Sequence, residues 1–304
     1  MSYALLFSGQ GTQHPGMLPW LEAEPASQVA LQAMAALLGP GWRSALDDAH
    51  RRSSNAVAQP LIVGTALAAW GALAAQLSAP PVAVAGYSVG ELAAFAAAAV
   101  LSVPSAIALA AQRAALMDAA VAGAKTGLLS VSGLHPAQVL QAQPALQHAI
   151  DIGWDQGIYA AEVAQLDAAA LALGALGALC KPLEVRVASH SRFMDSAAQG
   201  FAAQLEGVVF SRPQSAVVLN ASGSSTRNAQ ILRQALSAQI ASTVRWAACM
   251  DALAEQCVAC VMEVGAGSTL AKMWNQRHPA IPARALAEFR DVAGAARWLE
   301  RRSV

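Results

Sequence analysis

The sequence predicts an α/β fold in which helices cover both faces of a parallel sheet and a smaller α+β subdomain is inserted into the chain. Three observations carry this. Short apolar strands alternate with Ala-rich helices, the alternation breaks over residues 127–187 and then resumes, and a chain of 304 residues, 56% hydrophobic, can bury a large core.

In chain order, the first strand is residues 3–7, a continuous apolar run of the kind parallel strands show. A long Ala-rich helix follows Asn55, a second strand covers 82–85, and helices start near Val89 and Pro104. The 127–187 stretch reads as strand, helix after Pro136, short strands near Ile150 and Ile158, an Ala/Leu helix over 163–179 and a strand at 183–187. Beyond it come a helix after Arg192, a strand at 216–219, helices over 229–240 and 245–255, a strand at 258–264 and a last helix near Val292. The expected organisation is a large subdomain of residues 1–124 and 188–304, with a small one of residues 125–187.

Nineteen Lys plus Arg offset nineteen Asp plus Glu, leaving a formal net charge of +0 with no basic block. Nucleic acid and anionic membrane surfaces are therefore poor partners. Mean hydropathy is +0.41, but the excess comes from Ala, a small helix former. Residues 92–112 carry no charge and are long enough to span a bilayer, yet Ser102-Val103-Pro104-Ser105 in their middle reads as one helix ending and another being capped. No membrane span is expected. The N-terminus lacks the basic start and long apolar run of a signal peptide, so a cytoplasmic protein is expected. Cys180, Cys249, Cys257 and Cys260 are few and unevenly spaced, which fits reduced thiols rather than a disulfide framework.

The sharpest motif is Gly86-Tyr87-Ser88-Val89-Gly90, between the second predicted strand and a helix. A serine on so tight a turn stands at a helix N-terminus, where backbone N–H groups and the helix dipole can stabilise an oxyanion. It needs a base, and among His14, His50, His135, His148, His190 and His278 only His190 lies just past an apolar run predicted as a strand, at 183–187, where a strand end would hand it to the top of a sheet. Two glycine turns, residues 8–13 and 265–269, each begin like a dinucleotide fingerprint and lack its third small residue. A turn of this kind can instead lend an oxyanion N–H. Arg113 is the only charge between Glu91 and Asp118. It is either a surface or internally paired arginine, or a fork that holds a substrate carboxylate.

Taken together, Gly9-Gln10-Gly11-Thr12-Gln13, Gly86-Tyr87-Ser88-Val89-Gly90-Glu91, Gln112-Arg113, Ser189-His190 and Glu263-Val264-Gly265-Ala266-Gly267 resemble the malonyl-CoA:acyl-carrier-protein transacylase family in order and spacing over nearly the whole chain. The resemblance implies an α/β-hydrolase-like large subdomain with an inserted ferredoxin-like small one. It implies Ser88 as the acylated nucleophile, His190 as its base and acid, Arg113 on the substrate carboxylate, and the N–H groups of Gln10 and Val89 as oxyanion hole. By the same resemblance the carbonyl of Gln256 orients the histidine, and Asn220 supports the site. The implied substrate is malonyl-CoA and the acceptor a carrier protein with a phosphopantetheine or CoA-like arm, with no permanently bound cofactor and no metal. The chain departs from the family at Tyr87, where His is usual, and at Ser8, where Pro is usual. The Gly-Tyr-Ser elbow on a short Ala-rich chain is most similar to the malonyl-transferase (epsilon) subunits of bacterial malonate decarboxylase, whose other subunits would then be partners. Malonyl transfer in fatty-acid or polyketide synthesis is the alternative. A serine thioesterase would need a triad acid among Asp118, Asp151, Asp155 and Asp167, and a subunit that had lost the chemistry would not be expected to keep Ser88, His190 and Arg113.

Overall fold

A computed structural model describes residues 2–303. Its strands are β1 (Tyr3–Phe7), β2 (Ala83–Gly86), β3 (Thr126–Ser132), β4 (Gln147–Gly153), β5 (Gln156–Glu162), β6 (Leu179–Pro182), β7 (Ala216–Val218), β8 (Ser225–Thr226), β9 (Val244–Arg245), β10 (Cys260–Val264) and β11 (Ala283–Ala285). The α-helices are α1 (Gln28–Leu38), α2 (Ala49–Ser53), α3 (Asn55–Ala74), α4 (Gly90–Ala97), α5 (Val103–Ala120) and α6 (Pro136–Ala142) in the first half. They continue with α7 (Val163–Ala175), α8 (Asp195–Glu206), α9 (Ala229–Ala238), α10 (Trp246–Ala254), α11 (Thr269–Arg277) and α12 (Val292–Arg302).

The larger sheet has the order β11-β10-β1-β2-β7-β8, parallel throughout except for the edge strand β8. Every residue of β1 is buried, as a central parallel strand requires. Its side chains divide with period two. Tyr3, Leu5 and Phe7 enter a core with α3, α4 and α5, and Ala4 and Leu6 enter a second core with α10 and α11. The expected α/β class is what the chain adopts.

The second sheet has the order β6-β3-β5-β4-β9. Its first four strands pair antiparallel in a βαββαβ segment, the ferredoxin-like arrangement, and β9 adds a fifth strand parallel to β4 from a distant part of the chain. Leu129, Val131 and Tyr159 face the core under α6 and α7, whereas Leu128, Ile150 and Ile158 face the larger sheet's second core. This alternation joins the two sheets across one apolar layer.

Two expectations are corrected here. The helix predicted over 163–179 stops at Ala175, because Gly177 turns the chain with φ +89°, and β6 starts at Leu179. The strand predicted at 183–187 is no strand: after the Leu183 N–H, which bonds the Leu128 carbonyl, it is a bent link in which exposed Glu184 and Arg186 alternate with less exposed Leu183, Val185 and Val187. Its alternation comes from one side facing a cleft. Residues 92–112 form α4 and α5 with a break between them, and Ser102 caps α5 through the Ser105 N–H. Among the described residues only α3 is long and apolar enough to cross a membrane, and 78% of its most apolar stretch is buried inside the protein.

Candidate active site

Strands β1 and β2 are parallel neighbours in register, Phe7 beside Gly86, so the turns at their C-terminal ends lie together. The β2 turn is a nucleophile elbow whose Ser88 has φ +55°. Both flanking glycines are required sterically. A Cβ on Gly86 would stand 2.1 Å from the Gly90 carbonyl, and one on Gly90 would stand 2.4 Å from the Phe7 oxygen. The Asn220 amide, just past β7, holds the turn: its Oδ1 accepts the Ser88 N–H at 2.8 Å and its Nδ2 donates to the Gly86 carbonyl at 2.6 Å.

Ser88 Oγ lies 2.7 Å from His190 Nε2. The histidine ends the bent link at φ +61°, with its backbone N–H donating to Ile240 O. Its Nδ1 lies 2.6 Å from the carbonyl of Gln239. A carbonyl can only accept, so Nδ1 carries the proton and Nε2 is free to accept from the serine hydroxyl. Burial, and secondarily the Arg113 cation, push the imidazole pKa down to about 3, against the pull of the Gln239 bond. His190 is therefore a neutral base.

The histidine's carbonyl partner is Gln239 and not the expected Gln256. Gln256 follows α10 in the turn that leads to the N-terminal end of β10, and the serine stands past the C-terminal end of β2, which runs in the same direction. No triad acid replaces it. Asp118 accepts from Asn55 Nδ2, Asp151 lies on β4, Asp155 in the turn after β4 and Asp167 on α7.

Arg113, on α5, is 1% exposed, which rules out a surface role. Its Nη1 donates to Gln59 Oε1 at 2.8 Å, and its Nη2 approaches Ser88 Oγ at 3.4 Å and Gln239 Oε1 at 3.5 Å. No carboxylate among the described residues lies within salt-bridge distance of it. Burial lowers its pKa to about 10, opposed by the field of Glu91. The site thus holds a desolvated cation propped by neutral amides and aimed at the nucleophile.

The N–H groups of Gln10 and Val89 donate to no protein acceptor among the described residues, whereas the next amide in each turn does: Gly11 to Gln13 Oε1 and Gly90 to Tyr87 O. A recess of about 60 Å³ is lined by Ser88, Arg113, His190, Gln59, Met117 and Ile158. Tyr87, Gln10, Ile158 and Leu183 also line a wider cavity of about 480 Å³ that continues toward Thr12, Lys272 and Met273. Tyr87 itself packs edge-on to Trp246 at 5.0 Å.

The remaining motifs have structural roles. Glu263, on β10 just before the second glycine turn, accepts the Ser8 hydroxyl and the Ala271 N–H and so ties the end of β1 to the first turn of α11. His135 caps α6, His148 stacks on Tyr159, and His278 meets Asp251. All four cysteines are unpaired. Two residues that contact the candidate site were not anticipated, Gln59 and Gln239. A glutamine interrupting the apolar α3 was the available signal for the first, and Gln239 gave none.

The acyl transferase domain profile matches residues 4–287. A malonyl CoA-acyl carrier protein transacylase of Mycobacterium tuberculosis is 35% identical over 295 residues, covering 95% of this chain and 97% of its own. The crystal structure of the M. tuberculosis enzyme superposes with a TM-score of 0.89 at 31% identity, covering 97% of this chain and 100% of that one. A malonyl-transacylase solved in complex with a type II polyketide synthase acyl-carrier protein gives a TM-score of 0.91 at 27% identity, over 99% and 100% of the two chains.

Proposed function

The chain belongs to the acyl transferase domain family, and from that membership we propose that it moves a malonyl group from malonyl-CoA to the phosphopantetheine thiol of an acyl carrier protein. The observation that carries the reading is Arg113, a buried guanidinium without a carboxylate of its own, 3.4 Å from the Ser88 hydroxyl. A buried fork of this kind suits an acyl group with a free carboxylate at its far end.

His190 Nε2 removes the hydroxyl proton as Ser88 Oγ attacks the thioester carbonyl. The N–H groups of Gln10 and Val89 receive the developing oxyanion. Collapse breaks the C–S bond, CoA leaves as its thiol with the proton from His190, and a malonyl ester remains on Ser88. The carrier thiol then gives its proton to His190 and attacks the ester carbonyl; the C–O bond to Ser88 breaks and His190 returns the proton to Oγ, regenerating the serine. In place of a carboxylate, the neutral Gln239 carbonyl orients the base, as in an acyl-transfer dyad of Ser88 and His190. The wider cavity beside Tyr87 is where the thioester arm would lie.

A second reading keeps this chemistry and changes the acceptor to the carrier subunit of malonate decarboxylase. What supports it is the resemblance of the Gly86-Tyr87-Ser88 elbow to those subunits, with Tyr87 lining both the acyl recess and the arm cavity. Malonyl-CoA supplied with a carrier bearing an ordinary phosphopantetheine arm, with one bearing a longer CoA-like arm, and with no carrier separates the possibilities. Transfer to the ordinary arm supports the first reading and transfer only to the longer arm the second. Continued turnover of CoA without any acceptor, beyond the single equivalent released as Ser88 is acylated, identifies a hydrolase and defeats both.

A further inference from the structure

Glu91 has no part in the transfer steps, yet it is a carboxyl with 0% exposure three residues after the nucleophile. It sits in the first turn of α4, and its backbone N–H donates to the Ser88 carbonyl at 3.0 Å. Its Oε1 accepts the backbone N–H of Asn220 at 2.8 Å. Asn220 in turn binds both ends of the elbow through its amide and receives the Arg245 N–H on its own carbonyl. The ladder between β2 and β7 ends at Ala85 and Val218, so the Asn220 amide takes over where backbone pairing stops. The hydrogen bonds form a closed ring: Ser88 to Asn220, Asn220 to Glu91, and Glu91 back to Ser88.

We propose that Glu91 is a positioning residue, whose buried carboxyl fixes the Asn220 backbone so that the Asn220 amide holds Ser88 in its left-handed conformation, with Oγ on His190. As a mechanism for the reaction this rests on the acyl-transfer reading above. The unusual conformation costs energy that the surroundings must supply, and the Asn220 amide bonds both the Ser88 N–H and the Gly86 carbonyl of the elbow. Only one carboxyl oxygen is used, since Oε2 has no partner. Burial raises the carboxyl pKa to about 8, against the Asn220 bond and the Arg113 cation; the Cys249 thiol is the other titratable group it faces. A neutral acid still accepts from the Asn220 N–H through its carbonyl oxygen, and it leaves the Arg113 charge uncompensated for an incoming carboxylate.

Glu91→Gln keeps the acceptor, Glu91→Ala removes it, and Asn220→Asp keeps the acceptor for Ser88 while placing an oxygen against the Gly86 carbonyl. Each folded variant is assayed for malonyl transfer and for labelling of Ser88 by a fluorophosphonate, which does not use Arg113. Glu91→Gln retains transfer and labelling within about threefold. Glu91→Ala and Asn220→Asp lose roughly tenfold or more in both kcat and labelling rate, the effect of one lost hydrogen bond, with KM for malonyl-CoA within about twofold. Should Glu91→Ala fail to fold, the other two variants still give the ranking. Wild-type labelling rates in Glu91→Ala or Asn220→Asp would overturn the proposal, as would a Glu91→Gln protein as impaired as Glu91→Ala. If wild type itself fails to transfer malonyl while labelling follows the ranking, the proposed function fails and the positioning role stands.

Discussion

Arg113 brings a full charge to a position that is 1% exposed and meets it with the amide oxygens of Gln59 and Gln239. Such a cation favours a ligand that supplies the missing carboxylate and penalises one that leaves it unpaired. Arg113→Ala is expected to shift preference from malonyl-CoA towards acetyl-CoA by about 1–3 kcal/mol, read as the ratio of acylation rates for the two thioesters. Equal ratios in wild type and variant would remove Arg113 from substrate selection. His190 yields a second expectation. Its pKa is held near 3 by burial and Arg113, so the basic form persists well below the ordinary imidazole range. The acid limb of kcat/KM should lie below pH 5, and a rate that halves near pH 6.5 would contradict the neutral, desolvated base.

The elbow shows at the element scale how spacing in a sequence becomes geometry. Its two glycines were legible because a turn this tight excludes Cβ atoms: at Gly86 one would fall 2.1 Å from the Gly90 backbone. Gly86→Ala is expected to cost more than about 3 kcal/mol, or to prevent folding, as measured by urea unfolding. An alanine variant as stable as wild type would show that the turn can be made another way. Ser88 was legible from its strand-turn-helix context, Arg113 as a lone charge in an apolar helix, and His190 from its place just past the apolar run 183–187. Gln239 was not. Two successive helices, α9 and α10, end in Ala-rich turns followed by a glutamine at Gln239 and Gln256, and local sequence cannot tell them apart. Topology does. Helix α10 leads back to the start of a strand in the larger sheet, away from the site, whereas α9 leads into β9 of the smaller sheet and so ends beside His190. The link at 183–187 misled for a related reason, since alternation shows which side is buried and not whether a neighbouring strand pairs with it.

At the scale of the whole molecule, two sheets meet across a shared apolar layer, and the groups of the candidate site come from widely separated segments: Ser88 and Gln10 from the larger sheet's turns, His190 from the link between sheets, Arg113 from α5. A site assembled this way ties function to global stability. Glu91 gives that coupling a sign. Its pKa is raised in the folded protein, to about 8 from 4.5, so the stability it contributes is complete below pH 4.5 and is lost as pH rises through 8. Wild type should lose stability relative to Glu91→Gln as pH rises from about 4.5 to about 8 in urea titrations, with no further divergence above that, and parallel curves would show that Glu91 does not take up a proton on folding. The central claim is an acyl-enzyme on Ser88 that forms only with an acid-tailed acyl group. The intact mass of the protein after brief mixing with malonyl-CoA, beside Ser88→Ala and an acetyl-CoA control, tests it most directly. A gain of one malonyl group, absent from the variant and weak with acetyl-CoA, is the expected result; an unmodified mass, or equal labelling by acetyl-CoA, would contradict it.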